Sequence, residues 1–122
     1  MRIAAVTFGT TPRLEFNLGD AKVDTIKKKL KAIGNIMFMG GATATTDALT
    51  LVNDVVAPSA RIDSDRVMIF ITDGKSNIGD SPKNKAEELR TKYRFEVYAI
   101  GKMNCRRMAV TWKLHRGCTE TL

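Results

Sequence analysis

The chain of 122 residues is long enough for one domain with a real core and too short for two. A hydrophobic content of 43% and a charged content of 27% are ordinary for a globular domain, and no apolar run approaches the ~20 residues of a membrane-spanning helix. The net charge of +7 is uneven, because residues 1–101 hold 15 Lys/Arg against 12 Asp/Glu while residues 102–122 hold 5 against 1.

Met1 leads almost at once into the run "RIAAVTF" (residues 2–8), with no secretory signal in view, so the chain reads either as intracellular or as a piece of a longer protein. The run itself is apolar and β-prone, the pattern of a strand buried on both faces of a sheet. "GTTP" breaks it. In "RLEFNL" (13–18), Leu14, Phe16 and Leu18 alternate on one side, which predicts a half-exposed edge strand forming a hairpin with the first. In "GDAKVDTIKKKLKAI" Asp20 is the expected N-cap, Val23, Ile26, Leu30 and Ile33 make one apolar face, and Gly34 closes the helix. Its lysines then form a wet face rather than a nucleic-acid patch.

A glycine pair and a Thr-rich loop, "GGATATT", lead into a second helix, capped by Thr45 or Thr46 and stopped by Pro58. Ala48, Leu49, Val52, Val55 and Val56 are its expected buried stripe. "RVMIFITDG" (66–74) is the clearest strand, and the unbroken apolar run at 67–71 predicts a central parallel strand. Ser81 and Pro82 start a third helix with Ala86, Leu89 and Tyr93 on its inner face, and "FEVYAIG" (95–101) is another buried strand. The order β-β-α-α-β-α-β predicts an α/β sheet with helices on both faces. Residues 102–122 form a divergent basic tail in which only Met108, Val110, Trp112 and Leu114 alternate, as in a short strand. Cys105 and Cys118 could bridge in an oxidising compartment, but with His115 they do not make a zinc set. Nucleic-acid binding is not expected, since Trp112 is the tail's one aromatic and stacking readers need several.

Chemistry concentrates at "FITDGKSNIGD", where a buried strand ends in Asp73. Ligands of open α/β sheets bind at the carboxyl ends of strands. Three enzymatic readings fail on spacing. A phosphate-binding loop ending in Gly74–Lys75–Ser76 needs a glycine at position 69, which is Ile69. An aspartate-nucleophile phosphatase needs an aspartate at position 71, which is Ile71. No dinucleotide-binding glycine fingerprint follows any predicted strand, paired acid/base carboxylates are not evident, and one histidine gives little basis for a nucleophilic triad. What remains is Thr43, just after Gly40–Gly41, with Asp73: a hydroxyl and a carboxylate on one rim, hard oxygens suited to Mg²⁺ or Ca²⁺.

In order and spacing, "RIAAVTFG", "GGATATTDAL", "VMIFITDGKSNIGD" and "VYAIG" resemble a von Willebrand factor type A domain over residues 2–101. The resemblance implies a doubly wound, mostly parallel α/β sheet with helices on both faces, one antiparallel edge strand and a metal-ion-dependent adhesion site at its rim. It implies that Thr43 and Asp73 are metal ligands, that the ion is Mg²⁺ (or Ca²⁺ or Mn²⁺), and that an acidic residue of a protein partner supplies the last ligand. The expected setting is extracellular, within a longer multidomain chain, with no enzymatic activity and no insertion into a membrane.

Two departures limit this. The family's Asp-x-Ser-x-Ser motif is absent, and the "DSD" at 63–65 sits in a loop with the wrong residue types. With it a first strand and helix, about 30 residues, are missing, and the second departure is the tail, where one more helix and strand of a different character are expected. In the family that strand lies mid-sheet between those at 2–8 and 67–71, which here must either pair directly or expose apolar edges. The expectation is a partial domain over 1–101, truncated and binding metal weakly or not at all. Alternatively it is a structural unit without metal. The loops at 35–39 and 76–80 are the expected readers of a partner, with Met37, Phe38 and Met39 either contacting it or packing under the rim.

Overall fold

The first expected pairing is present. In the computed structural model, which describes residues 1–72, 79, 81–101 and 110–113 (the last four by backbone alone), β1 (Ala5–Phe8) and β2 (Pro12–Phe16) form an antiparallel hairpin with a bulge between Ala5 and Val6. Phe16 is buried and Leu14 half-buried on its inner side. On the other side the Thr7 hydroxyl donates to Glu15 Oε1 at 2.6 Å, and the Arg13 guanidinium donates to the same oxygen. β1 is half-buried, not closed over on both faces as its composition suggests.

The Asp20 cap operates, but over less chain than expected. Its carboxylate accepts from Lys22 N at the head of a short 3₁₀ turn, Ala21–Val23. The chain then restarts at Thr25, whose hydroxyl accepts from Lys28 N and caps α1 (Ile26–Gly34). Only Val23 of the predicted apolar face is buried. Ile26, Leu30 and Ile33 remain exposed, Leu30 by 66%. The periodicity forms a helix, but no described element takes up its stripe.

α2 (Thr45–Leu51) runs through a π-turn, Val52–Val56, and a 3₁₀ turn, Ala57–Ser59, that includes Pro58. Its N-cap is Ala44, which offers no side-chain acceptor, and Thr45 is instead a buried first-turn residue. Ala48, Leu49 and Val56 are buried as expected, while Val55 turns outward. α3 (Lys83–Thr91) begins after Pro82, with the Ser81 hydroxyl accepting from Lys83 N. Arg94, at φ 56°, turns the chain from α3 into β4, and the Arg66 guanidinium donates to the Tyr93 carbonyl at that turn.

β3 (Arg66–Thr72) pairs with β4 (Phe95–Gly101) in parallel and unbroken register, and β5 (Val110–Lys113) adds antiparallel to β4. The core lies under this sheet: Leu49, Ala57, Leu89 and Phe95 are buried, with Val52, Met68, Ala86, Tyr93 and Val97 packed around them. α2 and α3 thus form one helical layer, α2 lying against β1 and β2 and α3 against β4.

Among the described residues the strands form two sheets, β1-β2 and β3-β4-β5. The expected central position of β3 is therefore corrected: among the described strands it pairs with β4 alone. Its Met68 side meets the helical layer, whereas Val67, Ile69 and Ile71 on the other side are 54–67% exposed. Of the two outcomes posed by the sequence, direct pairing or exposed edges, the second holds, with Phe8 and Phe70 stacked across the divide at a centroid distance of 5.1 Å.

These contrasts are measurable by urea unfolding. Leu89→Ala, at a fully buried site, should cost about 2–5 kcal/mol. Leu30→Glu, on the open stripe of α1, should change stability by less than about 0.5 kcal/mol; a loss comparable to that of Leu89→Ala would show that the stripe is docked.

Glu15 supplies a pH test. The Thr7 hydroxyl, then Arg13, hold its carboxyl below the ordinary value, against a smaller opposing effect of burial. A lowered folded-state pKa gives stability that is present above the unfolded value, about 4.3, and lost as pH falls through the folded one. Glu15→Gln should therefore narrow the loss of stability on acidification below that value, read as a flatter melting-temperature profile.

Candidate rim site

The rim is built from three chain segments that meet where β1 and β3 end. β1 runs out into Gly9 and Thr10. The Ala44 amide donates to the Gly9 carbonyl at 2.9 Å, and the Ala42 amide donates to Thr10 Oγ1 at 3.3 Å. These bonds lash the Thr-rich loop, with Thr43 between them, to the carboxyl end of β1.

Two glycines permit the approach. A Cβ on Gly9 would lie 2.7 Å from the Gly40 carbonyl oxygen, a distance no side chain tolerates. Gly41 has φ +113° and a Cβ there would lie 2.5 Å from Thr10 Oγ1, so this position fits glycine on backbone and space alike. The third segment arrives at Gly79, also at positive φ (+81°), whose Cβ direction points at the Thr46 side chain. Gly79 thereby stands at the head of α2.

Thr43 is half-buried in this loop, immediately before the Ala44 cap and the first turn of α2. Asp73 follows Thr72, the last residue of β3, and lies outside the described residues, as does the loop at 76–80 apart from Gly79. In the loop at 35–39, Met37 and Phe38 project into solvent, Phe38 by 94%. Met39 packs inward, half-buried, with its Sδ 3.2 Å from the Thr7 hydroxyl. The alternatives left open by the sequence thus divide between neighbouring residues.

Gly9 and Thr10 were not singled out by sequence, where "GTTP" reads only as a break. A strand-ending glycine followed by a hydroxyl residue is compatible with this lashing, but spacing alone does not reveal which loop it meets.

As a metal centre the donor set is thin. Among the described residues, no group of three or more His, Cys, Asp or Glu side chains could hold a metal ion. The Thr43 hydroxyl is one oxygen, Asp73 would bring a carboxylate, and a hard cation takes six or more ligands, some of them water. Thr43 and Asp73 by themselves are fewer oxygens than such a cation takes.

The profile of the von Willebrand factor type A domain matches residues 1–114. The chain belongs to that family. Human cochlin is 37% identical over 76 residues, covering 62% of this chain and 14% of cochlin. Cuticlin-6 of Caenorhabditis elegans is 36% identical over 102 residues, covering 84% of this chain and 17% of its own length. The mouse collagen alpha-4(VI) chain is 43% identical over 70 residues, 57% of this chain and 3% of the collagen chain. This A domain therefore spans a small fraction of each of these proteins. Among solved structures, proximal thread matrix protein 1 from the mussel byssus, with a zinc-occupied metal-ion-dependent adhesion site, superposes with a TM-score of 0.73 at 30% identity. That match covers 82% of this chain and 24% of the mussel protein. The α/β fold expected of the A domain is the fold observed, with its sheet divided in two.

The glycine requirement at the rim is testable. Gly41→Ala should destabilise by about 1–3 kcal/mol, the cost of forcing a side chain into that backbone region. Gly34→Ala, on an α1 residue with open space around it, should be neutral or slightly stabilising.

Proposed function

We propose that this chain is the protein-binding part of an A-type adhesion module, not an enzyme, within a longer extracellular protein. The observation that carries this reading is the loop of Gly40 to Thr43, bonded to the end of β1 beside the end of β3, the strand that Asp73 follows in sequence. Family membership and the collagen and byssal-matrix relatives support it. Residues 1–101 are the partial domain and 102–122 a divergent basic tail.

In the complete module the partner would present an acidic residue to a divalent ion, Mg²⁺ with Ca²⁺ or Mn²⁺ as alternatives. Thr43 and Asp73 are the ligands this chain contributes. Two protein oxygens are too few for tight binding, so residues 1–122 alone hold an ion weakly or not at all. A second reading, a structural A-type unit without metal, is favoured by the absent Asp-x-Ser-x-Ser motif.

Calorimetric titration of Mg²⁺ into the 122-residue chain tests the incomplete site. The expected dissociation constant is weaker than about 1 mM, the loose end of the range for such ions. Sub-millimolar binding abolished by Asp73→Ala would overturn it. Weak binding reduced further by either Thr43→Ala or Asp73→Ala favours the adhesion reading, and no change in either variant favours the metal-free unit.

A further inference from the structure

α1 carries charge of one sign only. Its nine residues include Lys27, Lys28, Lys29 and Lys31 and no acidic residue. At about 100° per residue, Lys27, Lys28 and Lys31 fall within one third of the helix circumference, on the side away from the stripe of Ile26, Leu30 and Ile33. All three are exposed, whereas Lys29 is half-buried on the other flank of the stripe. Two carboxylates stand nearby, and both are engaged. Asp24 pairs with Lys28 at 2.9 Å, and Asp20 caps the turn before the helix. Lys27 and Lys31 make no ion pair among the described residues.

This arrangement works against the helix that bears it. Lys27 and Lys31 lie at i and i+4, the spacing at which like charges repel. Lys27 and Lys28 sit in the first turn, where the helix dipole disfavours cations. Little packing compensates, since the main contacts of α1 are with the 3₁₀ turn before it. An anion on the lysine face would relieve both effects. The three ammonium groups are separate and exposed, so they do not enclose a single oxyanion. A chain carrying several negative groups in line can meet them together. All three are lysines, compact point charges, and not the planar forks that grip phosphate at two atoms. No aromatic residue lies in α1 to stack on a base. Such a face attracts a polyanion through charge density and counterion release.

We propose that the exposed lysine face of α1, formed by Lys27, Lys28 and Lys31, is a docking site for a sulfated polysaccharide. The choice of a sulfated chain among polyanions rests on the extracellular setting proposed above. The face itself involves neither Thr43 nor Asp73, so the magnesium titration and the experiment below fail independently.

The test titrates a heparin dodecasaccharide into the 122-residue chain at about 0.15 M salt, where diffuse attraction is already screened. Saturable binding that weakens as salt rises is expected. The triple variant Lys27→Gln, Lys28→Gln, Lys31→Gln should weaken it at least about tenfold. Glutamine is about as good a helix former as lysine, so the variant keeps α1 folded. A variant that removes the same charge from the tail, Lys102→Gln, Arg106→Gln, Arg107→Gln, should weaken binding by no more than about twofold. Bound heparin should also slow amide exchange over residues 26–34 and leave α3 unchanged, because a ligand of the folded helix opposes its fraying. Absence of saturable binding, equal losses in the two triple variants, or unchanged exchange over α1 overturns the proposal. Tighter binding of phosphatidylserine vesicles or of single-stranded DNA than of heparin also overturns it, by assigning the face to another class of polyanion.

Discussion

The parallel pairing of β3 with β4, from Arg66↔Phe95 to Thr72↔Gly101, holds the rest of the molecule in place. It brings Met68 and Val97 to one side, where Leu49, Ala57, Leu89 and Phe95 close over them. It also carries the end of β3 up to the rim. A strand as apolar as β3 calls for cover on both faces and pairing on both edges, and the described elements supply one of each. The exposed side chains of β3, the divided sheet and the bridging Phe8–Phe70 stack all follow from that half-satisfied state.

The rim depends on the same arrangement in a different way. Its geometry is set by backbone bonds from the Thr-rich loop to Gly9 and Thr10, and by glycines where any side chain would collide. This scaffold does not require the sheet to be continuous, because α2 spans the divide from below. The loop bearing Thr43 therefore stands at the rim, while among the described residues no cluster of carboxylates, histidines or cysteines accompanies it.

Much of the fold was legible in the sequence because local signals and tertiary packing agree there. The β1-β2 hairpin, the stripe of Ala48, Leu49 and Val56, the inner face of α3 with Leu89 and the bounds of β4 all follow period and turn chemistry. Even the brief alternation around Val110 and Trp112 becomes β5. The failures share one cause. An apolar run or stripe states what a segment needs and not whether a neighbour supplies it. Residues 67–71 read as a central strand and Ile26, Leu30 and Ile33 as a buried face, yet their cover is not among the described elements. The helix starts differ for a more local reason: Thr25 offers a better-placed hydroxyl than a continuous turn from Asp20. At the site, Thr43 was readable from its glycine-rich context, while the part played by Gly9 and Thr10 depends on a contact over thirty residues away in sequence.

The central claim, that among the described strands β3 pairs with β4 alone, is tested most directly by residue-resolved amide hydrogen exchange across 67–71. In a parallel strand with one neighbour, alternate amides point toward the partner and the others point away. The account predicts alternation, with the amides facing β4 slow and those between them exchanging far faster. Uniform protection of all five would contradict it, since it would require a second strand against the outer edge in the free chain.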